Sequence, residues 1–223
     1  MSATGSGVKG LPWGRALGWT ALFGLFAYVM IPSLQMRFGV AGAAGPTLMH
    51  KQAWYWGHFV TALPAAIIGA LQFSSGLRAQ WPRVHRWLGR SYVALVLPST
   101  VAGFWLACVT DDPGSRLPAA ILAVLWFGFT LGGWLRARAG DHAGHRLLMI
   151  RSYALIFVFI WSRIDADPVF APLWAWIKDP NELMGNQAWF GILVPILLVE
   201  AWLSWRPLLL GKTRATAKAA RAA

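Results

Sequence analysis

The sequence predicts an all-α integral membrane protein, a bundle of about six transmembrane helices with both termini in the cytoplasm. Three observations carry that expectation. Of the 223 residues 57% are hydrophobic and only 13% charged, where a soluble domain carries about 25% charged residues. The apolar residues fall in blocks of the ~20 residues that a spanning helix needs. Tryptophan, with 15 copies, suits a chain that crosses two membrane interfaces.

The blocks place spans at 16–36, 54–73, 88–109, 117–135, 147–164 and 187–205. Several carry an internal proline, as at Pro32, Pro64, Pro98 and Pro195. Membrane helices tolerate it because neighbouring groups satisfy the freed carbonyls. The first block, preceded by Lys9 and Arg15, is longer than the apolar core of a secretory signal, so it reads as a retained helix. Residues 1–15 form a short N-terminus, 16–205 the transmembrane domain and 206–223 a basic tail suited to anionic lipid. The connection 165–186 is the longest on the outer side, and its Trp174, Trp176 and prolines suit an outer interface.

Orientation follows from Lys and Arg. With the N-terminus inside, the inner segments hold Lys9 and Arg15, Arg78 to Arg90, Arg136 to Arg146, and Arg206 to Arg221, fourteen in all. The outer segments hold five: Arg37, Lys51, Arg116, Arg163 and Lys178. This bias also accounts for the net charge of +12 without nucleic acid as a partner. The single cysteine, Cys108, rules out an internal disulfide, a zinc pattern and a covalently attached c-type haem. There is no phosphate-binding glycine loop and no assembled nucleophile site.

Two stretches repeat. His85-Arg86-Trp87-Leu88 leads to Arg90-Ser91-Tyr92, and His145-Arg146-Leu147-Leu148 leads to Arg151-Ser152-Tyr153, with one extra residue in the second. Each opens a helix running from inside to outside, which puts His85 and His145 at one depth. Two imidazoles on two helices at one level are the arrangement that holds a b-type haem, or a quinone, near the inner face. Arg90 and Arg151 would then meet its anionic groups. The plainer reading has each histidine starting its helix and facing lipid phosphate. Gln72 lies at the same depth and would bond across helices or orient a ligand. His58 is expected near the outer end of its helix, a membrane thickness away, with a quinone or proton-handling role or none. Arg151 and Glu200 agree in depth and should form a structural ion pair, since an unpaired charge there is costly. Arg163, Asp165 and Asp167 should pair locally at the outer face.

Trp56-Gly57-His58, Gly69-Ala70-Leu71-Gln72-Phe73, Leu77-Arg78 and the two His-Arg stretches together resemble the bacterial multi-pass membrane proteins grouped as DUF2306, over roughly residues 50–165. Leu148 departs from that pattern, where tryptophan would be expected. The resemblance implies a helical domain in the bacterial inner membrane and brings no activity. A looser likeness to b-type cytochrome and ferric-reductase bundles is a matter of fold alone. Three functions are therefore expected in this order: electron transfer through a haem or quinone; a non-enzymatic accessory subunit packed against other membrane-protein subunits; and a small transporter.

Overall fold

The computed structural model describes residues 46–164 and 168–210, with seven helical positions between Leu17 and Tyr28. Met1–Ala43 and Ala44–Ala223 form two compact units. In the first, Leu17, Gly18, Thr20, Ala21, Gly24, Ala27 and Tyr28 are helical. The rest of the expected first span, residues 1–15, residues 211–223 and the Arg163 to Asp167 cluster lie outside the described residues or side chains.

The regular elements described in the second unit are all helices. Its elements are α1 (Pro46–Gln72), α2 (Ser75–Gln80), α3 (Pro82–Val109), α4 (Pro113–Arg138), α5 (His142–Ile156), α6 (Val158–Ile164), α7 (Ala171–Trp174) and α8 (Pro180–Glu200). A π-helical turn, Ala201–Trp205, follows α8, and the chain stays helical to Leu210. Helix α1 packs along α3, α3 and α5 both pack on α4, and α8 closes against α4, α5 and α6.

Among the described residues, four stretches are long and apolar enough to cross a membrane: Pro82–Val109, Pro113–Arg138, His142–Trp161 and Pro180–Leu210. Six were expected. The first lies largely outside the described residues, and α1, although 27 residues long, is diluted by His50, Lys51, Gln52 and His58 in its first half.

The helices begin earlier than the apolar blocks suggested, for a local reason. Proline occupies the first turn of α3, α4 and α8 as Pro82, Pro113 and Pro180, where its missing N–H costs nothing. The side chains of Asp112, Asp141 and Asp179 accept from the first free amides of α4, α5 and α8, as N-caps do. Polar residues thus extend each helix past the apolar core. His142 is the first residue of α5, and Gly140 before it takes the positive φ of 77° that the turn needs. At the far end of the bundle, Lys51 meets Asp111 at 2.8 Å and Trp54 stacks on Trp105 with ring centroids 4.8 Å apart, so the start of α1 lies beside the end of α3. The connection before α8 turns back on the bundle: Ile177 is buried, and Trp174 packs edge-on against Phe190.

The centre of the unit holds a closed hydrogen-bond circuit. Thr130 Oγ1 lies 2.7 Å from the Trp126 carbonyl and 2.7 Å from Ser152 Oγ; Ser152 Oγ lies 2.8 Å from Tyr92 Oη, which takes the Trp126 indole N–H at 3.4 Å. A carbonyl only accepts, so the direction is fixed. Thr130 donates to Trp126, Ser152 to Thr130, Tyr92 to Ser152 and Trp126 to Tyr92. All four residues are buried. Ser152→Ala leaves the Tyr92 hydroxyl without an acceptor and Thr130 without a donor. It should lower stability by about 1–2 kcal/mol. Tyr92→Phe, which breaks only the long indole bond and one donor, should cost less. Thermal unfolding in detergent reads the order, and equal losses would contradict this circuit.

Candidate functional site

The two repeated histidines occupy equivalent places. His85 is the fourth residue of α3 and His145 the fourth of α5, and each backbone N–H makes its helix's first α-helical bond, 3.0 Å to Trp81 and 3.0 Å to Asp141. The bend before α5 is held by Asp141, which also meets Arg136 at 3.0 Å. The Gly144 amide, and then Arg136, hold its carboxyl below the usual carboxylate range.

The side chains differ. His145 Nδ1 lies 2.8 Å from the Gly133 carbonyl in α4. A carbonyl only accepts, so Nδ1 carries a proton and Nε2 is the nitrogen left free of that bond. Close packing of Gly133 against Met149 fixes that stretch of α4 beside α5. His85 Nδ1 is buried with no hydrogen-bond partner among the described residues, and so is Gln72 Nε2. These two lie together. The Gln72 amide oxygen sits 3.6 Å from where a Cβ on Gly89 would stand, and Gly89 is one turn after His85 on the same face. The basic neighbours of His85 are Arg78, His145 and Arg86. One end of the bundle therefore collects Gln72 from α1, His85 from α3 and His145 from α5.

Arg90 is exposed on α3. Arg151 is engaged: its Nε lies 2.5 Å from Glu200 Oε1 and its Nη2 3.1 Å from Oε2, while Ser204 donates to Oε2 at 2.6 Å. A ligand anion at Arg151 would compete with that carboxylate. The pair sits where α8 gives way to the π-helical turn, with Ser204 four residues on and on the same face as the carboxylate.

His58 belongs elsewhere. Because α1 starts at Pro46, His58 is three turns inside the helix rather than near its outer end. Its Nδ1 lies 2.9 Å from the Ser99 carbonyl and 3.1 Å from Ser99 Oγ. Gly103 leaves room for the ring, which a Cβ there would approach to 3.3 Å. Gln72 and Ser99 are each fourteen residues along from His58 and His85, respectively, which is about 21 Å of helix. His58 and the inner group cannot share a ligand atom. His50 is also helical.

Among the described residues no three His, Cys, Asp or Glu side chains group as a metal site. Sequence reasoning missed the Ser99 cradle and the Trp126–Tyr92–Ser152–Thr130 circuit. Their signal was present as Ser and Thr within apolar runs, where unpaired hydroxyls are costly.

The fold and its polar end define an all-helical membrane protein, with several helices able to span a bilayer. Residues 55–203 match the family of predicted membrane proteins DUF2306, and the chain belongs to that family. No curated protein and no solved structure matches it.

Proposed function

We propose that the protein crosses the bacterial inner membrane about six times with both termini inside, and that it binds a quinone between Gln72, His85 and His145 at the cytoplasmic end, for electron transfer. The observation that carries the reading is the pair of buried nitrogens without partners, Gln72 Nε2 and His85 Nδ1. Leaving buried polar nitrogens unpaired costs about 1–3 kcal/mol each, and a ligand oxygen would remove that cost where the imidazole carries its proton on Nδ1. An amide N–H and an imidazole N–H suit a carbonyl acceptor, and the imidazole can also pass a proton when that oxygen is reduced. A quinone supplies two-electron, two-proton redox chemistry when bound. Gln72 would orient its head and His85 would hold or deliver the proton.

A b-type haem is the second reading, favoured by His145. Metal-ligating histidines commonly give their other N–H to a carbonyl, as His145 does to Gly133. His85 lacks such an anchor, which puts the quinone first.

The test is purification in mild detergent, organic extraction with chromatography for quinone, and visible spectra before and after dithionite. Quinone retained by the native chain and by Arg83→Gln, but lost from Gln72→Leu and His85→Phe, is the expected result. A Soret band lost in His145→Ala would move the assignment to haem. Neither group at full protein yield would overturn both, and an accessory subunit docked on other membrane proteins would then lead.

A further inference from the structure

Between the start of α5 and the helix that follows the π-helical turn runs an open groove of about 750 Å³. Its walls are apolar: Leu147 and Ile150 on one side, Leu203 and Leu210 on the other. Two guanidinium groups flank it, Arg146 and Arg206, and both residues are exposed. Arg206 lies over the ring of Trp202, 4.3 Å from its centroid, which directs it along the groove wall. Among the described residues no carboxylate lines the groove. The two nearest in sequence are committed, Glu200 to Arg151 and Ser204, and Asp141 to Arg136.

We propose that this groove is a binding site for one anionic phospholipid, its phosphate between Arg146 and Arg206 and an acyl chain along Leu147, Ile150 and Leu203. Charge complementarity selects the occupant. A zwitterionic lipid would bring a trimethylammonium group to two cations that have no nearby anion to offset it. A protein partner would leave the two guanidinium groups to be desolvated together, which is costly without a carboxylate. Basic pockets between helices at the cytoplasmic side are suited to anionic headgroups, and Trp202 adds an interfacial ring that sits well at headgroup level. Trp202 and Arg206 are four residues apart and so share one helix face along the groove wall.

The inference is independent of the quinone reading and needs only that these helices span a bilayer. Native mass spectrometry of the full-length chain, delipidated in detergent and titrated with phosphatidylglycerol or phosphatidylcholine, tests it. One phosphatidylglycerol should be retained in preference to phosphatidylcholine. Arg146→Gln and Arg206→Gln should each weaken that retention about fivefold, the effect of removing one interfacial cation, with phosphatidylcholine unchanged. Arg83→Gln, exposed on α3 at the same end, should behave as the native chain. Equal weakening by Arg83→Gln would reduce the effect to surface charge and overturn the site. Equal retention of both lipids, or no change in either groove variant, would overturn it too, as would a groove already filled by the chain's own residues. Unfolding temperature, measured alongside, separates lost lipid from lost fold.

Discussion

Gly114→Ala should be among the most damaging single substitutions in the protein. A Cβ on Gly114 would stand 1.8 Å from the Asn181 carbonyl oxygen and 3.1 Å from the Gly185 amide. The reverse holds as well, since a Cβ on Gly185 would meet the Gly114 carbonyl at 2.9 Å. The two helices touch backbone to backbone here, as membrane helices do where small residues face each other. Backbone cannot rotate away as a side chain can. Neither segment is free to slide, because Asp112 caps α4 two residues before the contact and Asp179 caps α8 beside it. The methyl group must therefore separate α4 from α8. A loss of about 3 kcal/mol or more is expected, the upper end of the range for overpacking. Gly128→Ala is the matched control: it lies in the same helix, its Cβ would meet nothing within 4 Å, and alanine is the better helix former. Thermal unfolding followed by size-exclusion chromatography should show Gly114→Ala strongly destabilised and Gly128→Ala unchanged or improved. Equal midpoints for the two would mean the α4–α8 contact is looser than described.

Arg151→Leu should be nearly as costly. It strips Glu200 of a two-pronged partner and leaves it only the Ser204 hydroxyl. Removing one member of a buried pair costs about 3–5 kcal/mol. The Arg151 and Glu200 side chains retain 20% and 26% exposure, which lowers the expected loss to about 2–3 kcal/mol. Glu200→Leu should cost a similar amount by stranding the guanidinium. The double replacement Arg151→Leu with Glu200→Leu should recover most of the loss, because no charge is then unpaired. Arg151→Lys should fall between, since an ammonium cannot match both carboxylate oxygens in the planar way a guanidinium does. A double-mutant cycle on unfolding free energy reads the coupling directly. Additive single losses would show that the two residues act separately.

How legible these features were differs by kind. Hydropathy located the four stretches that, among the described residues, are long and apolar enough to span a membrane, of the six it suggested, and the fragment shared by His85 and His145 marked two helix starts at equivalent places. Helix ends were misplaced because apolar blocks were allowed to define them. Pro82, Pro113 and Pro180, with Asp112 and Asp179, announced earlier starts by local chemistry that hydropathy ignores. His58 was set too far out for the same reason. The depth match of Arg151 with Glu200 could be counted along two helices, and the contact has that geometry. Backbone contact at Gly114, or at Gly69 against the rings of Tyr92 and Tyr153, could not be counted. A glycine in a membrane helix gives no sign of what approaches it until the neighbouring helix is placed. The unpaired nitrogens of Gln72 and His85 were equally hidden, because an absence of partners is a property of the packed bundle.

The one-residue difference between the repeated stretches has a geometric result. Counted from its histidine, Tyr92 is seventh on α3. On α5 the added residue carries the tyrosine to the eighth place and leaves Ser152 in the seventh. One residue is a rotation of about 100° about the helix axis. So α3 offers a phenol towards α4 where α5 offers a short hydroxyl, and the two meet, Tyr92 on Ser152 at 2.8 Å. Two phenols at that place would collide, and two serines would fall short of each other. A mirror-like pair of helices would also have presented two interchangeable imidazoles. This pair has a lock-and-key middle instead, and below it one histidine fastened to a neighbour and another with a hand still open.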